Sequence, residues 1–288
     1  MKRVIARVAM ATVTASVAVT ASVFVAATPV QAAPADPVKA LTGQFTTGKG
    51  VRFTDVATLL DFAGNTSILK RTGSFQFGKA GIVASDITAK RTSDDAEALA
   101  VLSWILPKPE RTIRIGTTSY YSGGAWAPPK GKTWIKHPRG MNAGLSGSYG
   151  QIVNVAEPST LKVLVTRGKR TGRTYSGTVS LGTLEKVSPW LRSADLSVLT
   201  GTGGLSKSEK ATVVRFTLTL GPDQLPRKLV TVYPPGTHVS AAVGEDRRLS
   251  IETDYTGWGS RVTVKAPPAN KVANMGKREP TLRGGGRG

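Results

Sequence analysis

The chain has 288 residues, with 39 Lys and Arg against 18 Asp and Glu, a net charge of +21, and no cysteine. The missing cysteine excludes disulfides and thiolate metal sites, so the fold rests on its core alone, and the length suits one sizeable core. The basic excess favours anionic surfaces such as phospholipid head groups, wall polymers or nucleic acid.

The chain opens with Lys2, Arg3 and Arg7 and continues through an uncharged Ala/Val/Thr/Ser stretch from Val8 to Thr28. That order is the n-region and h-region of a secretory leader. Val30-Gln31-Ala32 offers slim residues for cleavage after Ala32, and Ala33-Pro34-Ala35 offers a second site after Ala35. An uncleaved anchor is the rival reading, since about 20 apolar residues span a bilayer. Cleavage after Ala32 removes three basic residues, Lys2, Arg3 and Arg7, and takes the charge from +21 to +18. The expected location is outside the cytoplasm, in the envelope or beyond it.

Residues 33–49 are rich in Ala, Pro, Thr and Gly and read as a linker with one short helical stretch around Pro37 to Phe45. From Gly50 onward, period-two alternation recurs in short segments separated by Gly or Pro, the pattern of half-buried strands. Strands are expected at Val51–Phe62, Ile68–Phe77, Gly81–Lys90, Arg111–Tyr120, Thr133–His137 and Thr174–Leu181. Others are expected at Ala211–Leu220, Arg227–Tyr233, Leu249–Tyr255 and Arg261–Lys265. The clearest alternation is Val214, Phe216, Leu218 and Leu220 against Arg215, Thr217 and Thr219. It runs into the turn cluster Gly221-Pro222-Asp223-Gln224-Leu225-Pro226, which predicts a hairpin.

Two helices interrupt the strands. Asp94 to Leu106 starts with acidic residues, is apolar nearly all round and stops at Pro107, so it calls for packing on several sides. Pro158 opens a second, Leu161 to Arg167, closed by Gly168. Few helices separate the strands, so antiparallel neighbours are expected and the fold class is mainly β (α+β). Gly144 to Gly150 reads as a flexible loop. From Pro267 periodicity is lost, and a flexible basic tail ends in Arg283-Gly284-Gly285-Gly286-Arg287-Gly288.

Chemistry is sparse. The two histidines, His137 and His238, lie beside turn-forming residues and read as surface groups. Ser67–Lys70 and Ser159–Lys162 match Ser-x-x-Lys, but alternation on a strand places the first pair on opposite faces, and neither has a Lys-Thr-Gly partner. The carboxylate pairs Asp94/Asp95 and Glu245/Asp246 sit in caps or loops. The aromatics do not alternate with Lys and Arg as a platform for single strands requires, and no nucleic acid partner is expected. Neither an enzyme nor a cofactor is expected, and the chain reads as a monomer.

Three segments carry a resemblance. They are the hairpin from Val213 through Gly221-Pro222-Asp223-Gln224-Leu225-Pro226 to Val230, the approach Val153-Asn154-Val155-Ala156-Glu157-Pro158 to a helix, and the closing run Tyr255-Thr256-Gly257-Trp258-Gly259-Ser260-Arg261-Val262. Together they resemble the actinobacterial LprG-like lipoproteins. The resemblance implies a LolA-like fold over residues 50–266: a strongly curved antiparallel sheet, a half-barrel, wrapped around short helices with an apolar cavity for the acyl chains of glycolipids or phospholipids. The chain departs from that family in having no lipidated cysteine after the leader.

The apolar faces of the strands nominate Phe75, Phe77, Tyr175, Val179, Phe216, Leu218, Leu249 and Ile251 as the lining of one interior, joined by Ile87 and Leu102. Acylated lipid is the expected ligand, at about 0.8 kcal/mol per buried methylene. A sensor or protein–protein module of the same fold, and a polyanion binder, are the alternatives.

Overall fold

The computed structural model describes residues 36–60, 64–93, 100–194, 205–235 and 247–275. Its first helix, α1 (Pro37–Thr42), starts where the Asp36 carboxylate accepts hydrogen bonds from the Val38 and Lys39 N–H groups. The strands that follow are β1 (Lys49–Leu60), β2 (Asn65–Gly78), β3 (Gly81–Arg91), β4 (Glu110–Ile115), β5 (Thr118–Gly123) and β6 (Trp134–His137). The second half supplies β7 (Lys169–Thr171), β8 (Thr174–Ser180), β9 (Val213–Leu220), β10 (Pro226–Tyr233), β11 (Arg248–Arg261) and β12 (Val272–Asn274).

These form one 12-stranded sheet in the order β12-β6-β5-β4-β3-β2-β1-β11-β10-β9-β8-β7. Apart from β12, each half is a meander of neighbours in sequence, and the halves join where β1 pairs antiparallel with β11. Every pairing is antiparallel except that of β12 with β6. The sheet is curved and open, ending at two edges instead of closing. Register shifts at Gly50/Arg52, Ala57/Thr58, Gln76/Phe77 and Pro226/Lys228 mark bulges, which add bend to the strands that carry them.

Short helices cover one face: α2 (Ala100–Ile105), α3 (Pro158–Arg167), α4 (Leu181–Val187), α5 (Pro189–Arg192) and α6 (Lys207–Ala211). The expected class, mainly β with a curved antiparallel sheet around short helices, is the class found. The predicted hairpin forms at Gly221 to Pro226, with Asp223 Oδ1 accepting from the Leu225 N–H. The helix begun by Pro158 and ended at Gly168 forms as well, burying Leu161 and Leu164.

Four expectations are corrected. Arg111–Tyr120 is a hairpin and not one strand, because Gly116 turns the chain at φ 59° and pairs Ile113 with Tyr120. Leu249–Tyr255 and Arg261–Lys265 are not two strands: β11 runs on to Arg261, through Gly257 and Gly259 at φ 65° and 72°, and residues 262–265 lie outside any strand. The supposed tail holds β12, whose three residues add in parallel to the edge strand β6. The described part of the helix expected at Asp94–Leu106 is α2, which buries Leu102 on one side and leaves Trp104 45% exposed. Asp94 to Leu99 lie outside the described residues, as do the leader, His238, the pair Glu245/Asp246 and the final Arg-Gly run.

The largest departure concerns the presumed loop. Every residue from Met141 to Ala156 is buried. This irregular segment, with a 3-10 turn at Leu145–Tyr149, therefore lies inside the molecule. Buried backbone needs partners, and charged side chains of the sheet supply several. Glu110 accepts from the Leu145 and Ser146 N–H groups at 3.0 and 2.9 Å. Asp55 Oδ2 accepts from the Gln151 N–H at 3.2 Å.

Asp55 is itself paired with Arg71, whose Nη2 donates to Asp55 Oδ2 at 2.6 Å, and each side chain is only 2% exposed. Gly150 packs directly on that guanidinium: a Cβ there would stand 1.8 Å from Arg71 Cζ. Gln151 extends the network, its Oε1 accepting from Thr231 Oγ1 at 3.1 Å and from Tyr233 OH at 3.4 Å. Replacing Arg71 by Met would leave a buried, uncompensated carboxylate, and such a break costs about 3–5 kcal/mol. The urea midpoint of Arg71→Met is expected to fall accordingly; an unchanged midpoint would show that the pair does not hold the segment in place.

Candidate functional site

The ten residues nominated as a lining all sit in one apolar core. Phe77, Leu218, Leu249 and Ile251 are fully buried, and Phe75, Ile87, Leu102, Tyr175, Val179 and Phe216 are no more than 7% exposed. Alternation on β2, β3, β8, β9 and β11 places nine of them on the covered face, and Leu102 joins the same core from α2. They meet protein atoms there. Phe75 stacks on Phe53 at 4.8 Å and meets Trp190 of α5 edge-on at 5.0 Å. Phe77 lies 5.1 Å from Phe45, and the Phe216 ring packs against Gly177, where a Cβ would stand 3.2 Å from Phe216 Cζ.

A cleft opens elsewhere, between α2 and the segment that follows β5. It has a volume of about 680 Å³ and is lined mainly by apolar groups of Trp104, Pro107, Ala125, Trp126 and Pro128, with Lys108 at its border. One turn of α2 presents Trp104 to solvent while Leu102 and Ile105 anchor the helix from the other side. Trp126 forms a rigid wall. It stacks on Tyr121 with ring centroids 4.3 Å apart and planes 7° apart, and its Nε1 donates to Glu110 Oε1 at 2.7 Å.

Glu110 thus holds both the cleft wall and the 3-10 turn. Burial raises its pKa above the usual carboxylate range, and the hydrogen bonds from Ser146, Trp126 and Leu145 oppose that rise. Glu157, the residue before α3, is raised in the same way. Its Oε1 accepts from the Trp190 N–H at 2.7 Å, and its Oε2 accepts from Ser188 Oγ and Thr160 Oγ1.

At the far end of β4 a second, smaller pocket of about 90 Å³ lies between β3 and α5, lined by Ser85, Arg114, Glu157, Trp190 and Ser193 among others. Burial lowers the Arg114 pKa, with weaker opposition from the charges of Tyr121 and Glu157.

His137 keeps to its turn, where Nδ1 accepts from the Arg139 N–H at 3.3 Å. The Ser67 hydroxyl bonds with Thr92 Oγ1, while Lys70 is exposed on the outer face of β2. Among the described residues, no three Asp, Glu or His side chains are grouped so as to hold a metal ion.

Sequence reasoning passed over Glu110, Trp126 and Arg114. Glu110 follows Pro109 at the head of a strand, and Trp126 precedes the pair Pro128-Pro129. An acidic residue directly after a proline at the head of a strand was the available signal.

No protein-family model and no curated protein match the chain. Among solved structures the chain is similar to a LolA superfamily protein from Nitrosomonas europaea, at 8% identity over 76% of this chain and 90% of that one, with a TM-score of 0.26. It is also similar to a porin-like protein from Bacteroides uniformis, at 8% identity over 74% of this chain and 98% of that one, with a TM-score of 0.25. Likenesses of this size add nothing to what the strand order itself shows.

The raised carboxylate makes a pH signature. A folded-state pKa above the unfolded value means that the stability linked to Glu110 is fully present below about pH 4.5 and is lost as pH rises through the folded pKa. Glu110→Gln removes that dependence and leaves the similar one of Glu157. Denaturant titrations across pH are therefore expected to show a shallower fall in stability with rising pH in the variant than in the parent; identical slopes would mean that Glu110 titrates normally.

Proposed function

We propose that the protein is a non-enzymatic binder of acylated lipids or lipid-like amphiphiles that works outside the cytoplasm, with its leader removed near Ala32. The observation that carries this reading is the apolar cleft of about 680 Å³ beside Trp104 and Trp126. Its size falls in the usual range for small-molecule sites, roughly 300–1,000 Å³. About ten methylenes buried there would contribute roughly 8 kcal/mol before ordering costs. Lys108 at the border suits an anionic head group, and the basic excess of the chain suits an anionic envelope surface.

The narrower reading, a carrier of the LprG-like kind released from the membrane by loss of its cysteine, rests on the Gly221–Pro226 hairpin and the Trp258-Gly259 run. Trp258 supports the hairpin directly, its Nε1 donating to the Pro226 carbonyl at 2.7 Å. The absence of an enzymatic role is supported by the employment of Glu110, Glu157 and His137 in holding loops and turns.

One observation favours a second reading, a protein–protein module. The segment Met141 to Ala156 occupies the covered side of the sheet, where a carrier of the expected kind would hold its acyl chains.

A fluorescent sixteen-carbon fatty acid separates the two. Trp104→Ala is expected to weaken its binding about tenfold, equivalent to roughly 1.4 kcal/mol. The thermal midpoint should barely move, because the side chain is 45% exposed. Leu218→Trp should overpack the core, cost about 1–3 kcal/mol of stability and leave uptake intact. Absence of uptake by the parent protein would discard the lipid reading in favour of the interaction module. Uptake abolished by Leu218→Trp would instead return the ligand to the interior.

A further inference from the structure

Arg114 stands apart from the other inward-facing charges. Alternation along β4 turns Glu110, Thr112 and Arg114 toward the covered face. Arg71 on the same face has Asp55 as its counter-ion. Arg114 has no carboxylate within ion-pair distance among the described residues, although it is half-buried. Two of its bonds are accounted for: Nε donates to the Gly116 carbonyl at 2.9 Å, and Nη2 makes a long contact of 3.4 Å with Ser193 Oγ. A guanidinium has five N–H donors, so donors remain for a ligand.

The pocket it lines supplies a second, independent sign. The Ser85 hydroxyl also lines it, in a residue 1% exposed, and Ser85 Oγ has no hydrogen-bond partner. A buried hydroxyl left without a partner keeps its desolvation penalty, which an acceptor placed there would relieve. The Glu157 carboxylate bonds to neither group; its oxygens accept from the Trp190 N–H, Ser188 Oγ and Thr160 Oγ1. The pocket's roughly 90 Å³ equals the liquid volume of about three waters, room enough for one tetrahedral oxyanion. Cations are disfavoured by Arg114. Val83, which also lines the pocket, is 42% exposed, an apolar neighbour that a free anion does not need and an esterified one can use.

We infer that this pocket is a binding site for a phosphate group, free or as the head group of a phospholipid, held by the guanidinium of Arg114 and the hydroxyl of Ser85. The guanidinium supplies charge and a planar pair of donors, the geometry that matches phosphate oxygens. The hydroxyl supplies one further donor from the adjoining strand. The site lies at the Gly116 end of β4, whereas the Trp104 cleft adjoins its Glu110 end, five residues or roughly 17 Å away along the strand. The assignment therefore stands independently of the cleft.

Calorimetric titration of inorganic phosphate, and separately of a short-chain phosphatidic acid kept below its micelle concentration, tests it. The purified protein is compared with Arg114→Gln, Ser85→Ala and the charge control Lys90→Gln, which changes an exposed residue on the outer face of β3. Expected are saturable one-to-one binding by the parent, a loss of about tenfold or more in Arg114→Gln, a smaller loss in Ser85→Ala, and no change in Lys90→Gln. Phosphatidic acid bound much more tightly than free phosphate, with the same dependence on Arg114, identifies the head group as the source; equal affinities identify the free anion. No binding of either probe by the parent, or equal losses in Lys90→Gln and Arg114→Gln, overturns the assignment. Circular dichroism checks each variant, and Ser85→Ala carries the test if Arg114→Gln does not fold.

Discussion

The buried pair of Asp55 and Arg71 is the constraint around which the rest of the molecule is arranged. The two residues face each other across β1 and β2, next to the β1–β11 pairing that joins the two meanders. A charge pair taken out of water contributes little by itself, since desolvation offsets the attraction. Its value here lies in what it positions. Asp55 anchors the Gln151 N–H, Arg71 forms the surface against which Gly150 lies, and Gln151 spreads the network to Thr231 and Tyr233 on β10. An irregular segment is thereby given hydrogen-bond partners inside a core that would otherwise exclude it.

Glu110 and Glu157 repeat the device on either side. One carboxylate receives the start of the 3-10 turn together with the Trp126 indole, and the other ties the entry to α3 to the start of α5. Asp55 and Glu110 therefore do for this segment what a ladder of strand hydrogen bonds does elsewhere, and Glu157 does the same for the chain just beyond it. Each is costly to bury, and each is compensated by several donors. The face that a curved sheet could have left hollow is occupied, which displaces the two described pockets to opposite ends of β4. The apolar one has a wall fixed by Glu110, and the polar one is bordered by Glu157.

Much of the sheet was legible because alternation has a local cause. Successive side chains of a strand point to opposite faces, so Val214, Phe216 and Leu218 announce their strand without any partner being known. The hairpin at Gly221 to Pro226 and the helix from Pro158 to Arg167 were legible for a similar reason, since turn and cap residues act on their own backbone. The split between β4 and β5 was harder, because Gly116-Thr117 is a two-residue interruption in a run of otherwise strand-forming residues. β12 was invisible: three residues become a strand only where β6 offers an edge.

Local pattern thus determined the mainly β class and the inward faces, and the ten residues nominated as a ligand lining are all buried. What those positions surround was decided in three dimensions. Nothing in Gly144 to Gly150 distinguishes a solvent loop from a buried one, since glycine and serine serve both, and burial depends on acceptors that lie distant in the chain, at Glu110 and Asp55. The same holds for Arg114 and Ser85, ordinary residues of two strands until the antiparallel register sets Ser85 opposite Arg114 and α5 roofs the space between them. A strand's own sequence sets which way a side chain points, because that is a property of one backbone. Which charges meet, and which are left without a partner, is a property of several backbones at once, and only the folded chain contains it.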